Sequence, residues 1–217
     1  SILNHLGIRW FNAPIVMEGG AIHVDGEGTL ITTESCLLNK NRNPGLDKKD
    51  IEEIFKAYLG IEKVIWLVGG LEDDDTDGHV DEVACFYNPA SLFMLTTFDK
   101  SDGNYKVLQE NIAIIKAEKD AKGRSFTVQE IEQPARRDLI DKRRMSLSYL
   151  NFYLANGAVI MPSFKDIQDS KAFDIISKAY SNRRVIQVPA LDVFKGGGGI
   201  HCITQQQPVP IALQKPK

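Results

Sequence analysis

The chain has 217 residues and a mass of 24.2 kDa, enough for one large core or two small ones, and its 43% hydrophobic and 25% charged residues exclude a disordered chain. A net charge of −3 argues against nucleic acid as a partner, and no apolar run reaches the roughly 20 residues of a membrane helix, so a soluble, cytoplasmic protein is expected. Cys36, Cys85 and Cys202 are odd in number and form no CxxC pair, which predicts neither disulfides nor a zinc site. The sequence opens at Ser1 inside an apolar stretch, and we expect an N-terminal part to be missing.

In chain order, Ile15 to Asp25 and Thr29 to Thr33 read as two strands joined at Gly26-Glu27-Gly28. Asp47 is a good N-cap for a helix from Lys48 to Leu59 with an apolar stripe through Ile51, Ile54, Phe55, Tyr58 and Leu59, and Gly60 is its stop. Val64 to Val68 follows as a buried strand. The same order recurs: strands Val80 to Phe86 and Ser91 to Thr97, a helix Tyr105 to Glu118, and a strand Phe126 to Ile131. It recurs again as strands Tyr149 to Ala155 and Ala158 to Met161 about Asn156-Gly157, a helix Asp166 to Tyr180, and a strand Val185 to Val188. Three ββαβ modules are therefore predicted. Gly196 to Thr204 is expected to open a fourth hairpin before a proline-punctuated tail.

The hexapeptides GGAIHV (Gly19 to Val24) and GGGIHC (Gly197 to Cys202) share Gly, Gly, Ile and His in register, with Cys202 in the place of Val24. Repeats of this size close into rings, and three and a fraction do not complete one. The run Gly196 to Gly199 lets a substrate or another backbone come close, so Cys202 is the candidate nucleophile.

Glu18, His79 and Asp81 are the other groups with chemistry to offer. Strand alternation places His79 and Asp81 on one face, and it turns His201 away from the thiol, which makes His201 and His23 structural. Aligning HVD at 79 to 81 with HVD at 23 to 25 instead puts His79 on the face opposite Cys202, and the sequence does not fix that register. Glu18 either caps backbone amides or receives a cation. The acidic run Glu72, Asp73, Asp74, Asp75 and Asp77 is either a solvated loop or a mouth that attracts cations. No His, Cys or carboxylate spacing matches a known metal site.

The stretches MEGGAIHVDGEGTLITTESCLLNKNRNPGL, DDTDGHVDEVACF, SYLNFYLANGAVIMPSF and GGGGIHCITQQQP resemble those of the agmatine deiminases, within the guanidino-group modifying enzymes, and together span nearly the whole chain. The resemblance implies an α/β fold, a propeller (pentein) of five pseudo-symmetric ββαβ modules, of which 1–217 would be the C-terminal part with about three. Roughly 120 residues would then be absent, with an aspartate that helps bind the guanidinium. It also implies Cys202 as nucleophile, His79 as general acid/base, and Glu18 and Asp81 as the carboxylates that hold the substrate, with Gly198 and Gly199 beside it. The activity implied is hydrolysis of agmatine to N-carbamoylputrescine and ammonia, a step of putrescine biosynthesis, without cofactor or metal. Homo-oligomers are an implied option. Asp77 and Glu82 depart from the amides common in related sequences and are expected to add negative charge near the pocket. A protein-arginine deiminase and a catalytically inactive fragment are the competing readings.

Overall fold

Residues 2–207 are described in the computed structural model, so Ser1, Pro208 and the proline-punctuated tail lie outside the described residues. After one helical turn, α1 (Ile2–His5), the first module comprises β1 (Ile22–Val24), β2 (Thr29–Thr33), the short α2 (Glu34–Leu37), α3 (Lys48–Leu59) and β3 (Lys63–Leu67). The second holds β4 (Ala84–Asn88), β5 (Ser91–Thr96), α4 (Tyr105–Ala117) and β6 (Thr127–Glu132). The third holds β7 (Tyr153–Ala155), β8 (Ala158–Ser163), α5 (Asp169–Ala179) and β9 (Arg184–Pro189), and α6 (Leu191–Phe194) follows.

Each module is its own three-stranded sheet, in which the middle strand pairs antiparallel with the strand before it and parallel with the one after. Leu30 faces Val24 and Val64, Leu92 faces Phe86 and Val128, and Val159 faces Leu154 and Val185. A parallel return needs a crossover, which α3, α4 and α5 supply. Helix α3 starts where its sequence dictates. The Asp47 carboxylate accepts from the Asp50 amide at 3.0 Å while Asp50 accepts from the Asp47 amide at 3.0 Å, a reciprocal cap contributing about 1 kcal/mol. Gly60, at φ +69°, ends it in the left-handed region. Ile51 and Phe55 then bury against Leu30, Cys36 and Leu37, the core of the first module, while the second and third modules share a larger core. No helix among the described residues is long and apolar enough to cross a membrane.

The strands are shorter than expected at their inner ends. Residues 15 to 21 are not strand: pairing begins at Ile22, and Gly19–Ala21 form a 3-10 turn. Val80 to Glu82 likewise form a 3-10 turn, closed by the Val83 amide on the Val80 carbonyl, before β4 begins at Ala84. In the third module β7 begins at Tyr153, not Tyr149. Helix α5 begins at Asp169 rather than Asp166, because the Asp169 carboxylate takes the Phe164 and Asp166 amides. Gly196 to Thr204 forms no fourth hairpin. It continues from α6 as turns, with the Gly196 amide on the Val193 carbonyl, Gly197 on Phe194, and Thr204 on His201.

These turns resolve the question of register. Glu18 and His79 each stand immediately before the 3-10 turn of their module, so His79 corresponds to Glu18 and not to His23. The match of Cys202 with Val24 does not hold, because Val24 lies on a strand and Cys202 in a turn.

Candidate active site

The two 3-10 turns lie against each other, and a glycine makes that possible. A Cβ on Gly20 would sit 2.6 Å from His79 Nδ1 and 2.7 Å from Asp81 Oδ2, closer than any real carbon atom approaches. Gly20 therefore lets the first module's backbone press on the second module's His-x-Asp turn. The four predicted groups Glu18, His79, Asp81 and Cys202 line one pocket of about 290 Å³ with Gln205 on its rim. His79 and Asp81 meet there through the turn and not through strand alternation. A larger cavity of about 580 Å³ lies at Leu139, Ile140 and Met145 and holds no nucleophile or imidazole.

Glu18 is held by a residue the sequence reading did not single out. Arg42 donates from Nε to both carboxylate oxygens, at 2.7 and 3.0 Å, and from Nη1 to Asp77 at 2.7 Å. Burial works to raise the Glu18 carboxyl, but the hydrogen bonds and charge of Arg42 hold it below the usual carboxylate range. His79 is 7% exposed, and its Nε2, 3.6 Å from Glu18 Oε1, has no hydrogen-bond partner among the described residues. Its backbone amide is tied to Asp74 and to Thr76 Oγ1.

Asp81, 3% exposed, joins the remaining groups. Its Oδ2 accepts from His201 Nδ1 at 2.7 Å and from Asn151 Nδ2 at 3.2 Å, with Cys202 Sγ at 3.9 Å, and Oδ1 has no partner among the described residues. Asn151 Nδ2 also reaches Cys202 Sγ at 3.3 Å, and its Oδ1 accepts the His201 amide. His201 thus points at the site, contrary to the strand argument, because residues 200 to 203 are a turn. Burial of the sulfur, then the charge of Asp81, pushes the Cys202 thiol above its ordinary range, while the Gly199 amide and Asn151 work the other way. Gly198 would place a Cβ 3.1 Å from Cys202 Cβ, and Gly199 is buried against Asn151 and Phe194. Both glycines shape the ground under the thiol, and the pocket wall itself is Gly197.

The acidic run is a partly solvated loop, with Asp73 and Asp75 exposed, and four arginines pair with three of its carboxylates, so it is not a free acidic mouth. Glu72 pairs with Arg136 and Arg144, Asp75 with Arg143, and Asp77 with Arg42, while Asp74 caps the amides of Thr76, Gly78 and His79. Asp77 consequently adds no unpaired charge. Glu82 is 3% exposed, and burial, with Asp74, Asp81 and Cys202 nearby, pushes its carboxyl well above the usual range, so it too adds little charge. His23 is structural as expected: it takes the Phe86 amide on Nδ1 and lies 3.2 Å from Cys85 Sγ.

Among the described residues, Glu18, Cys36 and His79 bring three possible metal-ligand atoms within 4.8 Å, a group no sequence spacing announces. Arg42 already occupies both Glu18 oxygens, and burial pushes the Cys36 thiol up to about 12. That donor set is better suited to a hydrogen-bonded network than to an ion.

Fold and pocket together define an α/β protein of repeated ββαβ modules that gathers a thiol, two imidazoles and two carboxylates in one cleft. Residues 1–208 match the family model of the Porphyromonas-type peptidyl-arginine deiminases, and the chain belongs to that family. A Legionella pneumophila (strain Philadelphia 1) protein is 50% identical over 208 residues, covering 95% of this chain and 60% of its own length. The agmatine deiminase of Ectopseudomonas mendocina is 41% identical over 219 residues, 93% of this chain and 60% of that protein. Among solved structures, the agmatine deiminase of Enterococcus faecalis superposes with a TM-score of 0.89 at 34% identity, covering 95% of this chain and 61% of that one. The chain therefore spans about three fifths of the length of these relatives, the share that three modules of five would occupy.

Proposed function

We propose that residues 1–217 are the C-terminal, cysteine-bearing part of a cytoplasmic agmatine deiminase. The observation that carries this reading is the convergence of Glu18, His79, Asp81 and Cys202, from three separate segments, on one 290 Å³ pocket. A guanidinium is planar and cationic, so two carboxylates on either side of a thiol hold it and present its central carbon to the sulfur. The resting thiol is raised, and a bound cation is what favours its thiolate.

Cys202 loses its proton toward His79 and its sulfur bonds the guanidinium carbon. His79 returns that proton to the departing nitrogen, which leaves as ammonia, and a thiouronium remains on Cys202. Water then attacks the same carbon while His79 takes a proton from it; the carbon–sulfur bond breaks, the thiol is restored, and N-carbamoylputrescine leaves. Agmatine and water thus give N-carbamoylputrescine and ammonia. These roles use no metal or cofactor.

The test is a product assay on the 217-residue chain and on the same chain joined to the N-terminal segment of a relative, with agmatine and an arginyl peptide side by side. N-carbamoylputrescine from agmatine, lost in Cys202→Ala, supports the reading. Citrulline formation in the peptide alone replaces it with the protein-arginine reading, and no product in either chain supports an inactive fragment.

A further inference from the structure

We propose that Arg42 is a positioning residue of this site: its guanidinium holds Glu18 in the clamp and ties it to the loop that carries His79. The proposal rests on the guanidine chemistry above. All the donors of this one planar cation are spoken for. Beyond the bonds to Glu18 and Asp77, Nη2 meets the Thr76 carbonyl at 2.8 Å and Nη1 meets Asn41 Oδ1 at 3.1 Å. Three segments, at Glu18, at Arg42 and at Thr76 to Asp77, are thereby fixed together, and His79 follows two residues after Asp77.

Exposure separates this pair from an ordinary surface ion pair. The Arg42 side chain is 9% exposed and that of Glu18 40%, so the guanidinium sits inside the fold while the carboxylate it holds stays open at the pocket. Only the planar fork of arginine can meet two carboxylates and a carbonyl in one plane; lysine supplies charge without that geometry.

The groups facing Glu18 are Arg42 and Cys36 from the first module and His79 from the loop before the second, and Arg42 also carries Asp77. With Arg42 gone, the cation that pairs with both Glu18 and Asp77 is lost. Glu18 then gains its proton at a higher pH, and the acid limb of kcat/KM moves up with it.

The test begins with carbon-13 NMR titration of the Glu18 carboxyl in the 217-residue chain. Wild type should titrate below the ordinary glutamate range, and Arg42→Gln should raise the midpoint by about one pH unit or more. Arg143→Gln, the same charge change at an exposed pair, should leave it in place. Arg42→Lys should recover most of the Glu18 midpoint yet remain about tenfold or more below wild type in kcat/KM in the catalytically complete chain. A wild-type Glu18 that titrates in or above the ordinary range overturns the proposal without any variant. So does a midpoint moved equally by Arg143→Gln, or activity losses that simply follow melting temperature in both Arg42 variants. If agmatine is not turned over at all, the proposed function fails, and the Glu18 titration still decides the role of Arg42.

Discussion

His201 Nδ1 lies 2.7 Å from Asp81 Oδ2, across 120 residues of sequence, in the pocket that also holds the Glu18 carboxylate gripped by Arg42. Both carboxylates proposed to clamp the substrate are therefore held by a nitrogen donor of the chain itself. This order has a catalytic value, because a carboxylate already fixed loses little freedom when the guanidinium binds.

His201→Ala should leave Asp81 with only Asn151 and the distant Cys202 thiol as side-chain donors among the described residues. A hydrogen bond to a charged group contributes about 1.5–3 kcal/mol, so kcat/KM for agmatine should fall roughly 10- to 150-fold. His201→Asn, whose amide can donate over part of the same span, should lose less. Equal losses in the two variants would show that the imidazole serves some purpose other than holding Asp81.

The Cys202 thiol offers a pH test that needs no turnover. Burial and the Asp81 charge place it above the ordinary thiol range, so the thiolate is scarce at neutral pH and appears only as pH rises through the elevated value. Iodoacetamide should accordingly label Cys202 slowly at pH 7 and faster with rising pH. Asp81→Asn removes the neighbouring charge, lowers the thiol's midpoint, and should accelerate labelling at pH 7 while deimination falls. A labelling profile identical in wild type and Asp81→Asn would separate the two groups.

What the sequence showed and hid follows contact distance along the chain. Helix α3 was legible from Asp47 to Gly60 because its cap, apolar stripe and stop are all local. The three modules were legible because each repeats the same local order. The site residues Glu18, His79, Asp81 and Cys202 could be named from motifs, yet the geometry assigned to them was wrong, since strand alternation was applied to turns. Arg42, Asn151 and His201 were missed as functional groups because their partners lie 24, 51 and 120 residues away. A signal existed for one of them. An arginine flanked by two asparagines in Asn41-Arg42-Asn43, downstream of a glutamate before two glycines, is a planar donor set in search of carboxylates.

The other two cysteines should differ from Cys202 in kind. Cys36 is 0% and Cys85 3% exposed, and burial raises both thiols, so neither should react with iodoacetamide in the native protein. Because both pack in cores, Cys36→Ala and Cys85→Ala should each cost about 1–2 kcal/mol of stability, read by urea denaturation, with turnover within about twofold of wild type. Cys202→Ala should show the reverse, full stability and agmatine binding with no turnover. Loss of activity in all three would remove Cys202 as the sole nucleophile.

Gly20 gives the sharpest separation of site from scaffold. Its missing side chain is what admits His79 and Asp81, since a Cβ there would stand 2.6 Å from His79 Nδ1 and 2.7 Å from Asp81 Oδ2. Gly20→Ala must therefore push the first module's turn away from the second or displace the side chains of His79 and Asp81. A displacement of even about 1 Å is enough to cost on the order of 100-fold in rate. Gly26 provides the comparison: at φ +75° a side chain is strained, yet nothing lies within 4 Å of its Cβ position. Gly26→Ala should cost about 1–2 kcal/mol in stability and leave kcat unchanged. Gly20→Ala should lose at least about 100-fold in kcat with a smaller change in KM, measured on protein whose melting temperature confirms that it is folded. Wild-type kcat in Gly20→Ala would mean that the two turns do not meet in solution, and the pocket described above would have to be redrawn.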